Sequence, residues 1–285
     1  MKLTDPLNNW IARWLMAEEP RKHPAPCDFE RICHEIRPGD VLLIEGRSRV
    51  SEVIRVITQS PWSHSVLYIG RIHDIENEAV RTRIERLYAG DSQDPLIIEA
   101  LLGEGVILTS LGKYHAEHIR ICRPRGLTFV DSQRVINHAI DELGKGYNVR
   151  QLLDLARLMF PWAILPRHWR SVLFQHNVQT PTKTVCSTVI SEAFASVSFP
   201  ILPVVQFDDE TGIRMFRRDP RLAVPRDFDY SPYFDIIKYP LVPIDESGFY
   251  RNLPWSKPGA ADDAPSNDEP LTATRVEKSQ EPTND

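Results

Sequence analysis

The sequence predicts an α+β fold in which a small antiparallel sheet carries a cysteine-bearing helix. Three observations lead there. Short apolar runs bounded by turn residues follow one another between residues 41 and 122. Amphipathic helical patterns come after them. Cys186 then sits near the start of a stretch whose apolar positions recur at helical spacing.

Residues 3–17 are the first element. Leu3, Leu7, Trp10, Ile11, Trp14 and Leu15 lie at helical spacing. Such a helix either packs on its own domain or meets a membrane interface, where tryptophan is favoured. Little basic charge accompanies it. Pro20, Pro24 and Pro26 mark a linker, so residues 1–35 read as an N-terminal helix and linker. The main domain is expected over 36–205. Arg37-Pro38-Gly39-Asp40 is a turn, and Val41-Leu42-Leu43-Ile44 is a buried strand. Val50, Val53, Ile54 and Ile57 mark a helix over 48–58, which Ser60-Pro61 ends. Ser63–Gly70 is a second strand, with His64, Val66 and Tyr68 on one face. The charge-rich segment 73–95 reads as an inserted hairpin or loop. Strand character returns at 96–100, 105–108 and 119–122. Asp131–Leu143 is a helix stopped by Gly144-Lys145-Gly146, and residues 149–160 are another amphipathic stretch. Leu152–Trp169 is rich in Leu, Phe and Trp. Residues 206–256, rich in proline and aromatics, read as an extended C-terminal wrap, and 257–285 as a disordered tail.

Composition excludes several classes. The 285 residues carry a net charge of −5, which gives no electrostatic reason for a nucleic-acid partner. No stretch approaches the ~20 apolar residues of a membrane span. A secretory signal pattern is absent from the N-terminus, so a cytoplasmic protein is expected. The 4 cysteines, at uneven spacings, then read as thiols rather than a disulfide framework. The spacings of His23, Cys27, Cys33 and His34 do not match a zinc knuckle, and neither a metal nor an organic cofactor is expected.

Cys186 carries the chemistry. Val185, Val189, Ala193 and Val197 recur every fourth position, and Ile190 and Phe194 widen the stripe. With Thr184 as N-cap, Cys186 falls in the first turn of a helix, where N–H groups and the helix dipole favour thiolate. A buried, inert core cysteine fits the same local sequence. A nucleophile needs a base and the base an orienting group. His64, at the start of a strand, is the candidate base, or simply a strand-capping histidine. Glu99 stands in the apolar strand Leu96-Ile97-Ile98-Glu99-Ala100, where an unpaired carboxylate is costly. It either orients His64 or points outward from an edge strand. Tyr147, after the glycine stop, would place a phenol near the thiol or pack as an ordinary tyrosine. Cys122 ends a strand and reads as a small core residue.

The chain also resembles a known family. Gly39-Asp40-Val41-Leu42-Leu43, Trp62-Ser63-His64-Ser65-Val66-Leu67-Tyr68-Ile69-Gly70, Ile98-Glu99-Ala100 with Gly105-Val106, and Val185-Cys186-Ser187 are similar, in that order, to the circularly permuted branch of the NlpC-type papain-like hydrolases. The nearest subgroup is the YiiX-like, or lipo-like, bacterial proteins, with lecithin:retinol acyltransferase-like proteins more distant. The resemblance implies a permuted papain-like core, with Cys186 as nucleophile, His64 as base and Glu99 as orienting residue. It also raises Tyr147, although Asn148 follows where aspartate is common. Ser63 and Ser187 are expected to join Tyr147 in contacting substrate. The expected function is a thiol-dependent hydrolase or acyltransferase that passes through an acyl-thioester on Cys186, with a peptide or acyl-lipid substrate. The alternative is a catalytically silent, membrane-associated protein on the same fold, touching the bilayer through Trp10 and Trp14.

Overall fold

The computed structural model describes residues 17–18, 20, 23–101, 104–146, 185–208, 212–244, 247–253 and 255. The 3–17 helix with Trp10 and Trp14, Tyr147, the Leu152–Trp169 stretch, Thr184 and the 257–285 tail therefore lie outside the described residues. The chain divides into two units, residues 1–243 and 244–285. In the second, the turn of 3₁₀ helix Phe249–Asn252 is described, with Trp255 Nε1 donating to the Tyr250 carbonyl at 2.8 Å.

The first unit is built on one antiparallel sheet. Its strands are β1 (Val41–Glu45), β2 (His64–Gly70), β3 (Leu96–Leu101), β4 (Gly105–Ser110), β5 (His118–Pro124) and β8 (Phe234–Ile237), in the spatial order β4-β3-β2-β1-β5-β8. Strands β1 and β2 read as near-continuous apolar runs because helices and turns cover both sheet faces. One face carries Val41, Leu43, Leu67, Ile69, Ile98 and Ala100. Against it pack α4 (Phe129–Asp141) through Val135, Ile136, Ala139 and Ile140, and α5 (Val185–Ser196) through Val189, Ile190, Ala193 and Phe194. The other face carries Leu42, Ile44, Val66, Tyr68 and Ile97, covered by α1 (Phe29–Glu35) through Ile32 and by the turn Leu111–Tyr114 through Leu111.

Local chemistry starts these helices where short polar side chains stand. Asp28 caps α1, Ser48 caps α2 (Arg49–Thr58) and Thr128 caps α4, each accepting from a backbone N–H three residues on. Asp40, buried at the start of β1, is held by Arg123 Nε at 3.0 Å and Nη2 at 2.8 Å, which ties that turn to β5.

Two expectations need correction. The 73–95 segment is not a hairpin or loop: it holds α3 (Glu78–Leu87), capped by Asn77, whose side chain accepts from Ala79 and Val80 N–H. Its buried anchor is Ile84, with Val80 and Tyr88 beside it. Residues 206–256 are not an extended wrap either. They contain most of the hairpin β6 (Val204–Asp208) and β7 (Gly212–Phe216), the short helix α6 (Pro225–Tyr230), and β8. β8 pairs with β5 from Ile121↔Ile237 to Pro124↔Phe234, so the sheet does not end at residue 205. Phe228 and Phe234 are core residues; the Phe234 ring meets Phe194, Phe199 and Phe228 edge to face. Apolar side chains from this region were needed to close the first sheet face. Among the described residues, no helix is long and apolar enough to cross a membrane.

Candidate active site

β2 begins the site. Its register with β3 pairs Leu67 with Ile98, so Val66 faces Glu99 and His64 lies diagonally along the same sheet face. His64 Nε2 and Glu99 Oε2 are 2.7 Å apart. Glu99 is buried to 1 % exposure, and burial alone would force its carboxyl neutral. Three partners surround it. Besides His64, Tyr114 Oη donates to Oε2 at 2.5 Å and Lys113 Nζ to Oε1 at 2.8 Å. Burial raises the carboxyl, but the hydrogen bond and charge of His64, then Lys113, take it down to about 2. Glu99 is thus a buried carboxylate with both oxygens engaged.

Cys186 reaches the same imidazole from the other side of the sheet. It is the second residue of α5, and α5 packs on the face to which Ser65 and Leu67 belong. Burial works against a charged thiol, and against a charged imidazole. Their mutual attraction and hydrogen bond outweigh it, together with Glu99 on the imidazole side. The His64 pKa is raised to about 10 and that of Cys186 is lowered. A backbone and a side-chain hydrogen bond from Ser65 add to the stabilisation of the thiolate. The two shifts together favour a thiolate–imidazolium pair. Cys186 is 5 % exposed, and the carboxylate behind the imidazole is closed off from solvent.

The other cysteines set the contrast. Burial pushes the Cys33 thiol up to about 11 and the Cys122 thiol higher still. Cys27 lies in the second core, with its Sγ donating to the Glu117 carbonyl at 3.4 Å. Of the cysteines with a displaced pKa, Cys186 alone moves toward the thiolate. Among the described residues, no group of three or more His, Cys, Asp or Glu is placed to hold a metal ion.

The three residues read from the sequence as a triad thus come together, and two residues expected at the substrate do not fit that role. Ser63 is 1 % exposed; it accepts from Gly46 N–H at 3.0 Å, and its own N–H donates to the Ile44 carbonyl at 3.2 Å. Ser187 is 0 % exposed and its hydroxyl meets that of Ser65 at 3.0 Å. Both serve the frame around the triad, because a hydroxyl closed off in this way has no face toward a substrate. The third, Tyr147, lies outside the described residues. Sequence reasoning missed Lys113, Tyr114 and Ser65. The signal for the first two was Glu99 itself, since a buried carboxylate in an apolar strand demands several donors and the return of the β3–β4 hairpin brings Lys113-Tyr114 back over it. Ser65 carried no signal beyond its place next to His64.

Residues 35–157 match a family described as a permuted papain-like amidase enzyme, YaeF/YiiX, C92 family. That stretch contains His64 and Glu99; Cys186 lies beyond it. No curated protein matches the chain. Among solved structures, the metalloprotein yiiX from Escherichia coli O157:H7 aligns with 71 % of this chain and 97 % of its own at 16 % identity, with a TM-score of 0.42.

Proposed function

Since residues 35–157 belong to the permuted papain-like amidase family of YaeF and YiiX, we propose that this chain is a cysteine hydrolase of amide bonds, with Cys186 as nucleophile, His64 as acid and base, and Glu99 as orienting carboxylate. One observation carries the reading: a single imidazole is shared between a thiol that is lowered and a carboxylate held at about 2. A silent binding protein has no need to keep a buried ion pair of this kind, which is costly to assemble.

The reaction begins with the thiolate of Cys186 attacking the carbonyl carbon. The C–S bond forms as the carbonyl π pair moves to oxygen. N–H groups of the first turn of α5, which have no intrahelical acceptor, stand where they can receive that oxyanion. Collapse of the tetrahedral species expels the amine, which takes its proton from the His64 imidazolium. An acyl-thioester on Cys186 remains. Neutral His64 then removes a proton from water, and the hydroxide equivalent releases the acid and restores the thiolate. An amine in place of water would make the same site an acyltransferase. Peptide and acyl-chain amides are the substrate classes that suit the reading.

The test is alkylation of the thiol with iodoacetamide. The expected result is rapid labelling of Cys186 at pH 6, where an ordinary thiol is almost wholly protonated, and loss of that advantage in His64→Ala. Labelling no faster than that of a small free thiol, unchanged in His64→Ala, would sink the proposal. A mass increase on Cys186 after incubation with an activated acyl amide or ester would separate turnover from mere reactivity.

A further inference from the structure

A cavity lies on the far side of the nucleophile's helix. It has a volume of about 530 Å³, and Ala195 and Phe199 with Ile201 and Phe216 supply apolar walls. Volumes in this range enclose most of a drug-sized molecule. It is not the thiol's cleft. Ala195 is nine residues on from Cys186, about two and a half helical turns, so the two side chains leave α5 in opposite directions.

Two polar groups stand on the wall of this cavity. Ser191, on the wall, is 3 % exposed, and its Oγ has no hydrogen-bond partner. Buried hydroxyls are nearly always paired, so an orphan on a cavity wall points to a group that comes from outside. Arg217, also on the wall, donates to the Ser198 hydroxyl at 2.6 Å, and among the described residues it has no carboxylate partner. Its neighbours differ: Arg218 is paired with Asp227 and Arg221 with Asp219. Arg217 is exposed whereas Ser191 is buried, so the two groups stand at different depths of the cavity.

From this geometry we infer that the cavity binds a linear amphiphile: an apolar chain with an anionic head on the exposed Arg217 and a second hydrogen-bonding oxygen, deeper in, on the buried Ser191. An ω-hydroxylated or otherwise oxygenated medium-chain carboxylic acid has this pattern. The site is independent of the triad and does not require the chain to be an amidase.

The experiment is calorimetric titration of the full-length protein with 10-hydroxydecanoate, decanoate and 1,10-decanediol. The expected result is saturable one-to-one binding, tightest for the hydroxy acid. Arg217→Gln should weaken both acids roughly tenfold, the cost of losing one charge-assisted contact at a partly wet site, and leave the diol unchanged. Ser191→Ala should weaken the hydroxy acid to the level of decanoate and leave decanoate as it was. Ala195→Phe, which fills the cavity without touching either polar group, should abolish binding of all three. Prior alkylation of Cys186 with iodoacetamide should change nothing. The inference is overturned if none of the probes binds saturably, if Ala195→Phe and Arg217→Gln both leave binding intact, if Ser191→Ala has no effect because a water satisfies the hydroxyl, or if alkylation of Cys186 abolishes binding and so places it in the catalytic cleft.

Discussion

Charge at the triad is decided by which groups the chain brings within reach of one imidazole. The folded protein holds one proton on the His64–Cys186 pair from the lowered thiol value up to about 10. The unfolded chain holds two protons below the ordinary histidine value of 6.5, one between 6.5 and 9.0, and none above 9.0. Stability rises with pH wherever the unfolded state binds more protons. The raised imidazole therefore gives its full contribution below 6.5 and loses it as pH climbs to about 10, whereas the lowered thiol gives its full contribution above 9.0 and loses it as pH falls through its folded value. Cys186→Ala leaves an imidazolium that answers to Glu99 only. A group raised in this way gives its full contribution below 6.5 and loses it as pH climbs through the folded value. The expected outcome is that urea midpoints of the variant fall between pH 6.5 and 9.0 relative to wild type. Parallel curves across that window would mean that no ion pair is present. Glu99, held at about 2, acts at the opposite end, with a contribution complete above its ordinary 4.5 and lost as pH falls toward 2.

Two substitutions separate the supporting residues. Ser65→Ala removes the hydroxyl from the thiolate but keeps the backbone donor. A hydrogen bond to a charged group is worth about 1.5–3 kcal/mol, so the pH of half-maximal alkylation of Cys186 should rise by about one unit or more. An unchanged midpoint would show that the Ser65 hydroxyl does not hold the thiolate. Glu99→Gln keeps the shape of the site and removes the charge. It should lower turnover by about a hundredfold or more, the scale of a lost general acid–base function. The triad was legible in the sequence because each member broke its local rule: a histidine at the mouth of an apolar strand, a carboxylate inside another, a thiol at a helix start. Ser65 broke no rule, since serine is ordinary beside a strand end, and it was not found.

At the scale of elements, the β3–β4 hairpin is the part that aims the carboxylate. It carries Glu99 toward His64, and its return continues into Lys113 and Tyr114, which grip the same carboxylate. The hairpin is docked in turn on the end of α4, with Val106 N–H donating to the Lys145 carbonyl at 3.1 Å and Gly144 N–H to the Val106 carbonyl at 2.9 Å. Gly105 stands at this junction with φ +87°, and a Cβ placed there would come within 2.3 Å of the Lys145 carbonyl oxygen. Backbone cannot give way as a side-chain tip can. Gly105→Ala should therefore cost about 1–3 kcal/mol in urea unfolding and lower turnover as well, because displacement of the hairpin loosens three donors at once. Destabilisation below about 0.5 kcal/mol would show that this junction yields easily. The strands of this hairpin were readable as short apolar runs separated by glycine. Helix α3 was not, because Ile84 is its buried anchor and the dense charge around it hides the apolar stripe from a count of periodicity.

The whole first unit depends on residues far along the chain from the triad. A boundary at 205 looks natural in sequence, where regular apolar periodicity gives way to prolines and scattered aromatics. Such residues show no period because each fills a particular gap rather than lining an element face. Phe228 and Phe234 are two of them, both nearly fully buried, with the Phe234 ring against Phe194, Phe199 and Phe228. Phe194 is on α5, so this aromatic cluster supports the helix that presents Cys186. Asp229 also reaches back into the unit: it accepts from Trp62 Nε1 at 3.3 Å and from Arg120 Nη1 at 2.6 Å. Loss of a buried phenylalanine side chain costs about 3–5 kcal/mol, and a domain's entire margin is about 5–15 kcal/mol. Removal of both phenylalanines, together with the β8 ladder, would therefore consume most or all of that margin. A chain ending at 205 should show no cooperative urea transition by far-UV circular dichroism, whereas one ending at 243 should retain it. Phe234→Ala in the full chain should fall between them, folded but weakened by about 3–5 kcal/mol. A cooperative transition for the 205-residue chain, matching that of the longer one, would mean that five strands suffice and that β8 is an accessory to the sheet rather than part of what holds the nucleophile's helix in place.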